Sequence, residues 1–128
     1  MIIDEIKRSA NDSATFVQQG LIAFQNGEYK KCLQILNSDS VQDKLNTHLF
    51  LIEGLSYLET GDFNNAELFI TKAVDDKNNA YHDDCLWYLS LLYVKTDKPQ
   101  SAIPALKELI KNNSVYVKEA KEILNTIE

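Results

Sequence analysis

A repeat constrains this chain more than any other feature of its sequence. Gly20 and Gly54 stand 34 residues apart, and so do Phe16 and Phe50, Gly27 and Gly61, Tyr29 and Phe63, Cys32 and Ala66, and Leu36 and Ile70. The register continues with a shift of two. Gly54, Tyr57, Ala66 and Ile70 are followed 36 residues later by Ser90, Tyr93, Ala102 and Leu106. Helical periodicity repeats polarity but not residue size, so matched glycines and aromatics point to one structural unit used several times.

Each unit reads as two helices joined by a tight turn. Leu49, Phe50, Ile52, Leu55 and Leu58 give a helical stripe before the turn, and Phe69, Ile70, Ala73 and Val74 give one after it. Thr60-Gly61-Asp62-Phe63 lies between them. Gly61 can take the positive φ that ends a helix, and Asp62 can cap the next. Gln25-Asn26-Gly27-Glu28-Tyr29 and Thr96-Asp97-Lys98-Pro99 stand at the matching places. Pro99 suits a first helical turn. Pro104 falls inside the expected helix and should kink or loosen it. Gly20, Gly54 and Ser90 are small where the paired helix must come close, and Cys32, Ala66 and Ala102 are the small surface facing them. The second repeat is expected to begin early: Ser40-Val41-Gln42-Asp43 resembles a capping box, so its first helix would run from about Val41 to Thr60. The second helix of the first repeat should stop near Asn37.

The bulk numbers agree with an all-α domain. The chain has 128 residues, which suits one domain. Only 4 Gly and 2 Pro are present, too few for a chain of short strands and tight turns. The formal net charge of −6 lacks the basic footprint of a nucleic-acid binder. No apolar run here can span a bilayer. Met1-Ile2-Ile3-Asp4-Glu5 does not read as a signal peptide, because acids follow at once.

These residues resemble the tetratricopeptide repeat family. The second repeat carries the pattern most fully in Phe50, Gly54, Tyr57, Gly61, Phe63, Ala66, Ile70 and Ala73. The first keeps Phe16, Gly20, Gly27, Tyr29 and Leu36 and departs at Ala23, Cys32 and Asp39. The third keeps Leu86, Leu89, Tyr93, Ala102 and Leu106 but has Asp97 for the turn glycine. The family's closing proline is missing throughout. The stretch from Leu86 to Tyr93, followed by Val115-Tyr116-Val117-Lys118-Glu119-Ala120, looks like the C-terminal end of many bacterial members, where a last helix caps the stack. Tyr116, Ala120, Ile123, Leu124 and Ile127 form one apolar stripe there, with Ser114 as the expected N-cap. The resemblance implies a right-handed superhelix of three helix-turn-helix repeats plus a capping helix. The single domain 1–128 would then divide into an N-terminal segment 1–12, repeats at 13–46, 47–80 and 81–112, and the cap at 113–128. Seven main helices are expected, with a further short helix at 2–10.

The resemblance also implies a function, the binding of a protein or peptide in a concave groove lined by the first helix of each repeat. It assigns groove positions to Val17, Leu21 and Phe24, to His48, Leu51, Leu55 and Leu58, and to Trp87, Tyr88 and Leu91, with Gln18, Glu59 and Lys95 on the rim. Such a surface suits an apolar helical or extended segment. The competing reading is that some of these side chains are packed between repeats as core. Family members that clamp acidic chaperone tails do so with Lys, Asn and Arg. The corresponding positions here hold Val17, Leu21, Ile52, Asp84 and Tyr88, none of which grips a carboxylate. The alternative function is structural. A groove or end face would self-associate into a homodimer, or would hold the N-terminal segment with its Ile2, Ile3 and Ile6.

No chemistry is expected. Cys32 and Cys85 sit 53 residues apart without zinc-site spacing and read as buried small side chains. His82 is near Asp75, Asp76, Asp83 and Asp84, but Asp83 and Asp84 fit a first helical turn, where the dipole favours carboxylates. No calcium-loop spacing exists. The reading is therefore a non-enzyme without metal or cofactor. Two unpaired cysteines favour the cytoplasm, while the bacterial resemblance leaves open the soluble part of a membrane-anchored protein.

Overall fold

The computed structural model describes residues 16–38 and 47–128. The N-terminal segment, the short helix expected at 2–10, and the early start near Val41 lie outside the described residues. Among the described residues there are seven helices and no strand. They are α1, described over 16–25, α2 (Tyr29–Leu36), α3 (Thr47–Thr60), α4 (Phe63–Asp75), α5 (His82–Lys95), α6 (Pro99–Lys111) and α7 (Val117–Ile127).

The turns follow one pattern. At the end of α3, Gly61 has φ +84°. Its N–H donates to the Leu58 carbonyl at 3.2 Å, and the Asp62 N–H donates to the Tyr57 carbonyl at 2.9 Å. This pair of bonds is a Schellman closure, which satisfies carbonyls a helix end would leave bare. The end of α1 repeats it at Gly27, φ +77°, with Glu28 donating to the Ala23 carbonyl at 2.8 Å. The end of α5 repeats it without glycine. Asp97 takes φ +62°, and Lys98 donates to the Tyr93 carbonyl at 2.8 Å. A fourth closure ends α6, where Asn113 has φ +51° and Ser114 donates to the Leu109 carbonyl at 3.1 Å. Asp and Asn are the side chains that tolerate this left-handed region best after glycine.

Each turn reverses the chain into a helix pair whose contact is made close by small residues. A Cβ on Gly54 would lie 2.5 Å from Ile70 Cγ1, and one on Gly20 would lie 2.6 Å from Leu36 Cδ2. Cys32, Ala66 and Ala102 are all fully buried on the opposing helices. Packing then proceeds along the chain. α2 meets α3, α3 meets α4, α4 meets α5, α5 meets α6, and α6 meets α7, while α3 also touches α5. Two tyrosines at matching register tie neighbouring pairs together. The Tyr57 hydroxyl accepts from Asn37 Nδ2 at 2.9 Å, and the Tyr93 hydroxyl donates to Glu67 Oε1 at 3.0 Å.

Two expectations change at this level. α3 has no single apolar stripe. Leu49, Leu51, Ile52, Glu53, Gly54 and Ser56 are all buried, because α2, α4 and α5 pack around it. Pro104 lies inside α6, which runs continuously from Pro99 to Lys111. Pro104 and Gln100 are both exposed, so the Gln100 carbonyl that loses its donor can be met by water. Ser114 is not the N-cap of α7. That position is Tyr116, and Ser114 Oγ, two residues earlier, accepts from the Tyr116 N–H at 3.2 Å.

α7 docks as the sequence pattern predicts. Ala120 is buried, and Tyr116, Ile123, Leu124 and Ile127 pack against the core formed by Leu86, Ala102, Ala105, Leu106 and Leu109. Lys118, Glu119, Lys121, Glu122 and Asn125 are exposed.

Candidate partner-binding face

The predicted site residues lie on α1, α3 and α5, and the structure treats them unequally. Val17, Leu21 and Phe24 are half-buried against Ala23, Cys32, Leu36, Leu49 and Ile52. Leu55 and Leu58 are half-buried on α3, and Tyr88 packs against the same two core clusters as they do. The contact between α3 and α5 therefore brings Leu55, Leu58 and Tyr88 onto one continuous surface.

Leu51 is a correction. It is 5 % exposed and packs with Ala73 and Cys85, so it belongs to the core beneath this face. The helical spacing is right, but a residue one turn below Leu55 is covered once α4 and α5 are both in place. Trp87 is also partly spoken for. Its ring stacks on Tyr116 with centroids 5.0 Å apart and planes 10° from parallel. The Tyr116 hydroxyl donates to Asp84 Oδ1. His48 is half-buried and stacks on Tyr81 at 5.0 Å and 15°.

What stays open is the C-terminal half of the face. Leu91 is half-exposed, and Val94, which sequence reading passed over, is 42 % exposed. Trp87, Leu91 and Val94 follow i, i+4, i+7 and share one side of α5. Leu55 and Leu58 hold the equivalent places on α3, 36 residues earlier. Val94 could have been found by extending the 36-residue register from Leu58. Gln18, Glu59 and Lys95 are all exposed, and the Lys95 ammonium lies 5.9 Å from the centre of the Phe63 ring.

At the opposite end, three consecutive residues of α5 tie the last helices in place. His82 Nε2 lies 3.3 Å from Glu108 Oε1 on α6. Asp83 accepts from Asn112 Nδ2 at 3.0 Å, and Asp84 accepts from Tyr116. Burial, followed by the hydrogen bond to Asp84, holds the Tyr116 phenol above its ordinary range. Of the acids near His82, Asp83 and Asp84 are thus used in helix docking. Among the described residues, no three His, Cys, Asp or Glu side chains come together to hold a metal ion.

The cysteines are free and fully buried. Burial pushes the Cys85 thiol up to about 12, with the Asp84 carboxylate adding to it. Burial also raises Cys32, opposed by a bond from Ser56 Oγ at 3.6 Å. A nucleophile needs the thiolate, so these environments disfavour reaction. No described helix is long and apolar enough to cross a membrane.

The chain matches no protein-family model and no curated protein.

Proposed function

We infer that the chain is a protein-binding module of tetratricopeptide type, whose α1, α3 and α5 form the concave wall of a right-handed superhelix and receive an apolar segment of a partner. The architecture is supported by turn closures recurring at 27, 61 and 97, by close glycine contacts within two helix pairs, and by the touch between α3 and α5. The observation that carries the function is the apolar row Leu91 and Val94 beside Leu55 and Leu58, which no described helix covers fully. Isolated exposed apolar residues need no explanation, but a contiguous row on neighbouring helices does. The reading assigns no catalysis: both thiols are buried and held protonated, and His82, Asp83 and Asp84 are engaged with Glu108, Asn112 and Tyr116.

Site-specific crosslinking tests this. A photo-crosslinking amino acid at Val94, expressed in the native host, should capture a discrete partner. The same group at the exposed Pro104 on α6 should not. Leu91→Glu should weaken binding to that partner by about 2 kcal/mol while the melting temperature holds. Capture from Pro104 but not Val94 would move the binding face to the other side. Capture of a second copy of the chain would instead make this a self-association surface.

A further inference from the structure

We propose that Asn26 is a site of spontaneous deamidation in the folded chain. The Gly27 backbone nitrogen displaces the side-chain amide, and the turn between α1 and α2 is left with an aspartate or an isoaspartate.

The first turn differs from the two that follow it at one position. Thr60 and Thr96 stand just before Gly61 and Asp97, and their hydroxyls donate back to the Ser56 carbonyl at 3.0 Å and the Leu92 carbonyl at 2.8 Å. Asn26 takes that place before Gly27. It is exposed, and its side chain makes no hydrogen bond with a described residue. Asn26-Gly27 is also the only Asn-Gly pair in the sequence. Gly27 presents its nitrogen without a side chain, and nothing lies within 4 Å of the place a Cβ would take. The other described asparagines lack one or both of these conditions. The amides of Asn37, Asn65, Asn79 and Asn112 donate to the Tyr57 hydroxyl, Asp62, the Ala73 carbonyl and Asp83. The rest precede residues whose Cβ crowds the attacking nitrogen.

The reaction needs only water. The Gly27 nitrogen gives its proton to water or hydroxide and attacks Asn26 Cγ. The new N–C bond closes a succinimide ring as the Cγ–Nδ2 bond breaks, and the side-chain nitrogen takes a proton from solvent and leaves as ammonia. Water then opens the ring. Attack at Cγ gives aspartate, and attack at the former peptide carbonyl gives isoaspartate, whose chain runs through the side-chain carbon. The Gly27 N–H donates to the Phe24 carbonyl at 3.0 Å and must first let go. An exposed helix end with nothing packed on it opens at low cost. Either product weakens the turn. A carboxylate at the C-terminal end of α1 opposes the helix dipole. The extra backbone carbon of isoaspartate also misplaces the Glu28 N–H, which donates to the Ala23 carbonyl at 2.8 Å.

Incubation of the full chain at mildly alkaline pH, followed by peptide mapping, tests the proposal. The peptide holding Asn26 should gain the mass of an amide-to-acid exchange before any other asparagine converts, and sooner as pH rises. The intact chain should shift toward the acid side on isoelectric focusing as it does so. Asn26→Thr, which copies the residue at positions 60 and 96, should remove that early acidic species. The converted fraction, separated by anion exchange, should melt below the fresh protein. Conversion of a different asparagine first would overturn the assignment. Conversion of Asn26 in urea but not in the folded chain would overturn it too, because the bond to the Phe24 carbonyl would then protect the site. Equal melting of the converted and fresh proteins would overturn the weakening of the turn.

Discussion

Gly54→Ala is the sharpest test of the helix pairing. In a solvent-facing helix this change stabilises by about 0.5–1 kcal/mol, because alanine loses less backbone freedom on folding. Here the new methyl would sit 2.5 Å from Ile70 Cγ1 and 3.1 Å from the Ile70 backbone nitrogen. Carbon atoms rest about 3.5–4.0 Å apart, so either Ile70 leaves its rotamer or α4 moves off by about 1 Å. Ile70 is fully buried, and neither response has free space. Overpacking of this kind costs about 1–3 kcal/mol. Offset by the propensity gain, the net loss should be about 1–2 kcal/mol, which lowers Tm by roughly 3–8 °C for a domain of this size. Gly20→Ala is the control. Its new methyl would meet only side-chain atoms, Leu36 Cδ2 and Cγ at 2.6 and 2.9 Å, and no backbone atom, so its loss should be smaller. Ile70→Ala alone should cost about 2–5 kcal/mol through the cavity it leaves. Combined with Gly54→Ala, the methyl fills part of that cavity, and the pair should fall short of additivity by about 1 kcal/mol. Urea titrations and thermal melts read all four proteins. If Gly54→Ala melts at or above the parent, the close approach of α3 and α4 is wrong.

Two further predictions concern the end of the stack and its buried thiol. Tyr116→Phe should lose about 1 kcal/mol by removing the bond to Asp84 while leaving Trp87 emission unchanged; Tyr116→Ala should also red-shift the emission of Trp87, the only tryptophan, and an unshifted spectrum would show that α7 does not cover it. Between about pH 9 and the Cys85 value of about 12, the unfolded thiol has released its proton while the folded one keeps it, so stability falls as pH rises. Near pH 10 Cys85 should account for roughly 1 kcal/mol; Cys85→Ala should soften the decline in urea midpoint between about pH 8 and pH 10, and an identical decline would refute the assignment.

The all-helical class was legible in the sequence because its causes are local. Turn chemistry at Gly27 and Gly61, small residues at Gly20, Gly54 and Ala66, and the stripe from Tyr116 to Ile127 each act within a few turns of helix. The 34-residue and 36-residue spacings placed the hairpins for the same reason. Even Asp97 could be placed at a turn, since it stands where the register calls for a glycine; its φ of +62° then followed from the closure.

Tertiary structure decided which apolar residues are core and which are open. Helical spacing fixes the angle at which a side chain leaves its helix, but not how many neighbours arrive there. Leu51 and Leu55 lie one turn apart on the same side of α3, yet Leu51 is sealed by contacts reaching Ala73 and Cys85 while Leu55 stays partly open. Trp87 looked like a free anchor until α7 laid Tyr116 against it. Asp83 and Asp84 fit a first helical turn, but their bonds to Asn112 and Tyr116 join residues 29 and 32 positions apart. Such pairings depend on where whole helices come to rest, and a single helix's sequence does not carry that information.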